Sequence, residues 1–229
     1  MSTIFDLGER PGVAIKDSEE TYTVRRIYCV GRNYAAHARE MGKDPDRDPP
    51  FFFTKPADAV VANHAVVPYP SRTQNFHHEI ELVVAMGRGG KDIPLQQAED
   101  HIYGYAVGND LTRRDLQVHA REQGRPWDTG KAFDQSAPIS AIFPVERYGH
   151  VRQGEIWLKV NGEIRQQADI QDMIWNVPEI VAELSCLFEL KPGDLIYTGT
   201  PAGVAAVQTG DTMEGYIAGL EILDNRVSE

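Results

Sequence analysis

A nearly unbroken apolar run, FHHEIELVVAM at residues 76–86, carries two acidic side chains, Glu79 and Glu81. In an extended strand alternate side chains share a face, so both carboxylates would point the same way, together with His77. Its continuation VVAM does not alternate between polar and apolar residues, which is typical of a strand that is covered on both faces. Two carboxylates about 5 Å apart repel by roughly 3 kcal/mol at an effective dielectric near 20. The sequence therefore predicts a buried strand and a partner that offsets this repulsion.

A divalent cation is one such partner. Hard ions such as Mg²⁺, Mn²⁺ or Ca²⁺ prefer oxygen ligands, and Asp110 offers a third carboxylate directly after the apolar strand HIYGYAVGN. The spacing alone leaves alternatives open. Glu79 and Glu81 could instead pair with arginines or lie on an edge strand, and Asp110 could cap the helix that follows it.

Two neighbouring histidines, His77 and His78, are further candidates for this site. Either could bind the cation, and either could equally act as an outer partner that orients a ligand.

A second stretch that could carry catalytic residues is RIYCVGRNYAAHAREMG. An apolar strand ends there at Gly31, and Asn33 is a plausible helix cap. His37 and Glu40 are three residues apart, so they would share one face of the short helix. A carboxylate that orients an imidazole can activate a water near neutral pH. The alternative is a solvated His-Glu pair on a helix surface.

Three shorter segments carry further polar candidates. Lys131 in WDTGKAFDQSAP could neutralise an anionic substrate or an enolate, or lie on the surface. The small residues of LIYTGTPAGV could leave backbone N–H groups and the Thr200 hydroxyl free to hold an oxyanion, or form a plain turn. Lys55 in FFFTKP could point into a site or guard the end of a hydrophobic strand.

Composition excludes several classes of protein. With 229 residues, 41% of them hydrophobic, the chain can bury a full core, and its net charge of −11 disfavours nucleic acid and anionic membranes as partners. The N-terminus resembles no signal peptide and no apolar run is long enough to span a membrane, so we expect a cytoplasmic protein. Cys29 and Cys186 lie in apolar stretches, which predicts two buried thiols in a reducing compartment.

Strand-like segments dominate the middle of the chain, and Asn161-Gly162 within EIWLKVNGEIRQQ predicts a two-residue hairpin turn. Helical patterns are fewer, and we place them at residues 34–42, 95–102, 112–124 and 172–189, the last with Pro178 in its first turn. Because clean strand-helix-strand alternation is rare, the sequence predicts an α+β fold that is rich in β-structure.

The motifs GRNYAAHAREM, FFFTKP, HHEIELVV, GNDLTRRDLQ, GKAFDQSAP and KPGDLIYTGTPAGV, in this order, resemble the fumarylacetoacetate hydrolase family from about residue 25 onward. The resemblance implies the mixed β-roll of that family with decorating helices, and a homodimer. It divides the chain into an N-terminal annex at residues 1–24 and a catalytic domain at residues 25–229.

The resemblance also assigns roles to the candidate residues. It implies that Glu79, Glu81 and Asp110 bind Mg²⁺ or Mn²⁺, with Ca²⁺ as a third candidate, and that His37, Glu40 and Lys131 are catalytic. Substrate-binding positions follow from the same motifs: Arg32, Arg114, Gln117, Gly199 and Thr200.

Short members of this family act on 2-oxo acids through an enolate, as acylpyruvate hydrolases, oxaloacetate decarboxylases, and hydratases or isomerases. The resemblance therefore implies metal-dependent hydrolysis of a carbon–carbon bond in a 2,4-dioxo acid. The opening segment and the acidic loop KDPDRDPPFFF are most similar to bacterial members that act on 3-fumarylpyruvate in gentisate breakdown.

Overall fold

The computed structural model describes residue 8, residues 10–35 and residues 48–229. Its strands are β1 Gly12–Ala14, β2 Thr21–Thr23, β3 Arg26–Gly31, β4 Phe51–Lys55, β5 Val60–Val61, β6 Val66–Pro68, β7 Phe76–His77, β8 Ile80–Met86, β9 Ile102–Asn109, β10 Thr112–Arg113, β11 Ala137–Pro138, β12 Phe143–Pro144, β13 Glu155–Val160, β14 Glu163–Asp169, β15 Asp194–Tyr197, β16 Thr212–Ile217 and β17 Leu223–Ser228. The α-helices are α1 Arg114–Glu122, α2 Asp128–Lys131, α3 Val145–Tyr148 and α4 Val177–Leu187. Short 3₁₀ helices span Ala57–Ala59, Leu95–His101 and Ile170–Asp172.

Two larger sheets organise the described part of the chain. One has six strands in the order β12-β9-β8-β15-β3-β4, and the other has five in the order β14-β13-β16-β17-β6. Most neighbours are antiparallel, but β15 runs parallel to β3, and β17 runs parallel to β6. The fold is therefore α+β, with mixed sheets and few helices, as the sequence predicts.

Strand β8 lies in the middle of the six-stranded sheet and is covered on both faces. Its side chains at Ile80, Leu82 and Val84 enter a core that also contains apolar residues of the five-stranded sheet and of α4. Gly215 on β16 permits the close approach of the two sheets, since a Cβ there would lie 2.4 Å from Ile80. Val83 enters a second core on the opposite face. Burial on both faces, as predicted, therefore explains why polar and apolar residues do not alternate along VVAM in this strand.

The direction of the strands brings distant segments of the chain to one edge of the six-stranded sheet. Because β3 and β15 are parallel, their carboxyl ends lie together. Strand β8 is antiparallel to both β15 and β9, so its start meets the ends of those two strands. This edge collects the residues around Gly31, Glu81, Asp110 and Thr200.

The local predictions have mixed outcomes. The hairpin turn at Asn161-Gly162 joins β13 to β14, and Pro178 lies in the first turn of α4, both as predicted. Helix α1 falls within the predicted range 112–124, but in the predicted range 95–102 the residues Leu95–His101 form a 3₁₀ helix. The predicted helix at 34–42 lies almost entirely outside the described residues.

One prediction about the cysteines is wrong. Cys29 is buried in β3, but Cys186 is exposed. Cys186 lies in the last turn of α4, where the helix presents its polar side, so an apolar neighbourhood in the sequence does not imply burial.

The first hairpin, β1 and β2, contributes Val13 and Tyr22 to the second core. The division into an annex and a catalytic domain at residue 25 stays a prediction. Among the described residues, no helix combines the length and the apolar character that crossing a membrane would require.

Asn33 ties the loop after β3 to two other segments. Its side-chain amide donates to the carbonyls of Thr198 and Trp175, at 2.8 Å each, and its carbonyl oxygen accepts from the Trp175 N–H at 2.7 Å. The side chain is almost fully buried. Asn33 thus connects the ends of the parallel strands β3 and β15, while its predicted role as a helix cap concerns a segment that lies outside the described residues and stays a prediction.

We predict that Asn33→Ala lowers the free energy of unfolding by about 2–4 kcal/mol, because it leaves three buried backbone groups without their hydrogen bonds. Asn33→Asp is the matched variant. Its side chain has the same shape but cannot donate to the two carbonyls, so it should be destabilised at least as much. Urea unfolding measures both, and wild-type stability in either variant would contradict this role.

Candidate metal centre

Three carboxylates converge at this edge of the sheet. Glu79 precedes β8, Glu81 is the second residue of β8, and Asp110 follows β9; each offers an oxygen within 4.8 Å of the others'. The backbone of Asp110 donates to the carbonyl of Glu79 at 2.8 Å, which holds the two segments in register. The relative exposure of the three residues is 5% or less. The two glutamates therefore share a face and meet Asp110, as the sequence predicts.

Glu81 is held by the backbone of a glycine. The Gly199 N–H donates to its Oε2 at 2.8 Å. Gly199 has a φ of +99°, and a Cβ at this position would lie 2.6 Å from the Cβ of Asn33. Only glycine fits this turn. The Gly199 N–H of GTPAG thus holds a carboxylate of the protein itself, that of Glu81, and is not free for a substrate oxyanion.

Glu79 and Asp110 are bridged by an ammonium group. Lys131 Nζ lies 2.7 Å from Glu79 Oε2 and 2.6 Å from Asp110 Oδ2. The guanidinium of Arg114 contacts the other oxygen of Glu79. The alternative of pairing with an arginine thus applies to Glu79, through Arg114. Among the described residues, Glu81 makes no ion pair.

Lys55 supports the centre from the side of β4, which settles the alternatives that its sequence leaves open. Its side chain is buried, and Nζ lies 2.8 Å from Asp110 Oδ1. The same nitrogen donates to the carbonyl of Leu111 at 3.1 Å and to that of Lys131. Lys55 therefore positions both Asp110 and the turn that carries Lys131.

The charges at the centre influence one another strongly. Burial, with the negative charges of Asp110 and Glu79, raises the pKa of Glu81 well above its usual range. Burial opposes the charged form of Lys131, but the carboxylates of Asp110 and Glu79 outweigh it and raise the pKa of this ammonium. A cation is thus favoured where the three carboxylates meet.

The two histidines do not join the carboxylates. His78 Nδ1 lies 2.9 Å from the side-chain oxygen of Gln166. His77 Nε2 lies 2.8 Å from Asn75 Oδ1, and burial followed by the charge of Arg114 lowers the pKa of His77 to about 4. Both imidazoles therefore act as outer partners.

Gln166 connects His78 to the loop that carries Thr200. Its amide nitrogen donates to Thr200 Oγ1 at 2.7 Å and to the carbonyl of Pro201 at 2.8 Å. Because the Thr200 oxygen already accepts a hydrogen bond, its own O–H remains a donor. The role of Thr200 in substrate binding stays a prediction.

A cavity that is open to solvent lies above the carboxylates. Its apolar wall is aromatic: Trp127 packs against Phe51 and Phe53, with ring centroids 5.2 and 5.7 Å apart. The described residues that line the cavity are Val30, Gly31, Arg32, Phe53, Glu79, Glu81, Asp110, Arg114, Gln117, Trp127, Lys131 and Thr200.

The cavity brings together most of the site residues expected from the sequence. His37 and Glu40 lie outside the described residues, so their placement stays a prediction. The sequence analysis missed Trp127, Asn109 and Gln166. Asn109 Oδ1 accepts from the Glu79 N–H at 2.8 Å. Its position directly before Asp110 is a signal that could have identified it.

The residues present fit a hard divalent cation. The described cluster supplies only carboxylate oxygens, without a thiolate or imidazole, and such ligands suit Mg²⁺ and Mn²⁺. Burial and outer hydrogen bonds fix the orientation of the ligands, as metal sites require.

Comparison with known proteins agrees with this geometry. A family model described as the C-terminal domain of fumarylacetoacetate (FAA) hydrolase matches residues 26–228. The chain is 48% identical over 182 residues to a fumarylpyruvate hydrolase of a Ralstonia species, covering 79% of this chain and 94% of the relative. It is 40% identical over 205 residues to the mitochondrial oxaloacetate tautomerase of Homo sapiens, covering 90% and 92%.

A solved structure is also similar. The crystal structure of fumarylpyruvate hydrolase from Pseudomonas aeruginosa in complex with Mn²⁺ and pyruvate superposes with a TM-score of 0.97 at 57% identity, covering 99% of each chain. A relative with the same fold thus holds a divalent cation together with a 2-oxo acid.

We predict that Glu81→Gln weakens Mn²⁺ binding by more than about 100-fold, beyond the 10- to 100-fold typical of losing an outer partner. The metal-free variant should stay folded, because an amide oxygen can still accept from Gly199 and one like charge is removed. Titration calorimetry with Mn²⁺ measures the affinity, and Glu214→Gln, a partly exposed acid outside the cluster, is the control. Wild-type affinity in Glu81→Gln would remove this ligand from the site.

Proposed function

This chain belongs to the fumarylacetoacetate hydrolase family, and we propose that it hydrolyses 3-fumarylpyruvate to fumarate and pyruvate. The observation that carries the proposal is the buried triad of carboxylates under a cavity lined by cationic and hydrogen-bonding groups. The similarity to a fumarylpyruvate hydrolase that binds Mn²⁺ and pyruvate supports the choice of substrate. Such a reaction would belong to the breakdown of gentisate.

Glu79, Glu81 and Asp110 would hold Mg²⁺ or Mn²⁺. When bound, such an ion is a Lewis acid that polarises a 2-oxo group and stabilises negative charge developing there. Lys131 and Arg114 both form ion pairs with Glu79. They would therefore hold this ligand in place and add positive potential for an anionic substrate.

Hydrogen-bond donors on two sides of the cavity would orient the substrate. The Gln117 side-chain oxygen accepts from Arg114 at 3.2 Å, which leaves the amide NH₂ of Gln117 as the group that donates toward the cavity. The Thr200 hydroxyl donates from the opposite side, with its oxygen held by Gln166. These donors suit the carboxylate and the oxo group at one end of a 2,4-dioxo acid.

The attacking water would be activated by His37 and Glu40, in the roles that the family resemblance gives them. They take a proton from water as its oxygen bonds to the carbonyl carbon C4. The C3–C4 bond then breaks, and its electron pair stays on the three-carbon fragment as the enolate of pyruvate. Protonation at C3 gives pyruvate, and the new carboxyl group on C4 completes fumarate.

A second candidate is a reaction of oxaloacetate. The 40% identity to a human oxaloacetate tautomerase favours it, and oxaloacetate shares the 2-oxo acid group. Tautomerisation or decarboxylation needs no attacking water, so these reactions would use the carboxylate centre without His37 and Glu40 in the same role.

The assembly and the location of the protein are also proposals. The family resemblance suggests a homodimer that acts in the cytoplasm, and the unpaired thiols of Cys29 and Cys186 suit a reducing compartment.

We predict that the purified protein with Mn²⁺ or Mg²⁺ consumes fumarylpyruvate faster than acetylpyruvate or oxaloacetate, and that EDTA abolishes the reaction. Loss of the dioxo-acid absorbance measures turnover. Preferred turnover of oxaloacetate would favour the second candidate. Absence of turnover with all three compounds would refute both.

We predict that His37→Ala lowers kcat for fumarylpyruvate by about 10²- to 10⁴-fold and leaves Mn²⁺ affinity intact, as expected for a general base that is not a ligand. His119→Ala is the control, because His119 is exposed on α1. Unchanged kcat in His37→Ala would remove this residue from the mechanism. A variant that loses hydrolysis but still converts oxaloacetate would separate the two kinds of chemistry.

A further inference from the structure

Arg32 reaches the cavity from an unusual backbone conformation. It follows β3 with a φ of +59°, in the left-handed region that side chains other than glycine rarely adopt. The hydrogen bonds of Asn33 on one side and strand β3 on the other hold it there. Such strain persists where the surrounding structure imposes it, often at a binding site.

The guanidinium of Arg32 packs on an aromatic ring, but one of its N–H donors lacks a hydrogen-bond acceptor among the described residues. It lies over the ring of Phe51, with its central carbon 5.3 Å from the ring centroid. Its Nε is buried and makes no hydrogen bond with any residue in the described part of the chain. A buried N–H donor of a charged group without an acceptor is costly, so an acceptor from a ligand would be favoured here.

A second guanidinium lies near this part of the cavity on α1. Arg121 follows Gln117 by four residues, so its half-buried side chain shares a helix face with Gln117, which lines the cavity. Burial lowers the pKa of Arg32, and the positive charge of Arg121 lowers it further, while Asp48 acts in the opposite direction. Like charges on Arg32 and Arg121 thus favour an anion between them.

Between these arginines and the carboxylate centre the cavity wall is aromatic. Phe53 and Trp127 line it, and Phe51 packs against Trp127. Flat rings of this kind suit a flat, unsaturated chain, whose faces they can cover.

We propose that Arg32 and Arg121 bind the carboxylate at the far end of the acyl group and thereby select dicarboxylic acylpyruvates over neutral ones. This inference rests on the proposed acylpyruvate hydrolysis. The substrate would place its 2-oxo acid end at the carboxylate centre, its unsaturated chain along Phe53 and Trp127, and its second carboxylate between the two guanidinium groups. A guanidinium fork matches a carboxylate geometrically, and the added negative charge relieves the repulsion between the arginines.

Steady-state kinetics with two substrates tests the selectivity. Fumarylpyruvate carries the far carboxylate and acetylpyruvate lacks it. In Arg121→Gln the ratio of kcat/KM for fumarylpyruvate to that for acetylpyruvate should fall roughly 10- to 100-fold, the effect of losing a hydrogen bond to a charged group. Arg32→Gln should shift the ratio in the same direction. Arg226→Gln, which removes an exposed arginine on β17, should leave it unchanged.

Binding of fumarate provides a readout that does not depend on turnover. Crotonate is the matched probe, since a methyl group replaces one of the two carboxylates of fumarate. Titration calorimetry of the Mn²⁺-loaded protein should show tighter binding of fumarate than of crotonate in the wild type, and this preference should vanish in Arg121→Gln.

The two experiments separate the failure of this inference from the failure of the proposed function. A wild type that prefers fumarate but hydrolyses no acylpyruvate would refute the function and retain the anion site. Hydrolysis of both substrates with an unchanged ratio in Arg121→Gln and Arg32→Gln would overturn the site. So would equal affinity of the wild type for fumarate and crotonate.

Discussion

The balance of charge among buried carboxylates and cations is the constraint on which the rest of this structure depends. Three carboxylates within 4.8 Å of one another would repel by roughly 3 kcal/mol per pair at an effective dielectric near 20. Lys131 alone contacts two of them at 2.6–2.7 Å, where attraction is about twice as strong. With Arg114 and Lys55, three cations contact Glu79 and Asp110, whereas Glu81 forms no ion pair among the described residues. Removing one of these paired groups would leave an unpaired buried charge, so the paired residues constrain one another and the strands that carry them.

The order of the strands makes this balance achievable. The charged groups come from four segments, around residues 55, 79–81, 110–114 and 131, and only the mixed sheet brings the start of β8 to the ends of β9 and β15. The centre is rigid because β8 is packed on both faces, so its acids cannot turn toward water. Glu81 depends on Gly199, and Gly199 in turn packs against Asn33. Polar residues that are far apart in the sequence thus form one connected layer beneath the cavity.

The sequence predicts the parts of the centre that local periodicity encodes. The shared face of Glu79 and Glu81 follows from the two-residue repeat of a strand, and Asp110 follows from the end of an apolar run. Lys131 and Thr200 are candidates from their own short segments, and the family resemblance adds Arg114. Contacts between distant segments cannot be predicted from local periodicity, and two roles depend on them. Lys55 reaches the centre because β4 lies beside β3, and Gln166 reaches Thr200 because β14 approaches that turn. The same reason explains Cys186, whose exposure depends on which side of α4 meets the core.

In the proposed reaction, chemistry and selectivity are carried by different layers of the molecule. The carboxylates and their cations lie on central strands, where a single substitution upsets a buried charge balance. The rim of the cavity is built from the loop after β3 and from α1, and its charged groups are partly exposed. A change of Arg32 or Arg121 alters the potential at the rim without removing a partner from the buried cluster. Surface loops and helix faces of this kind tolerate substitution better than core strands do. A centre that stabilises negative charge on a 2-oxo acid can therefore be kept while the rim is changed to accept a neutral or a charged acyl group, which is how one fold can serve reactions of both acylpyruvates and oxaloacetate.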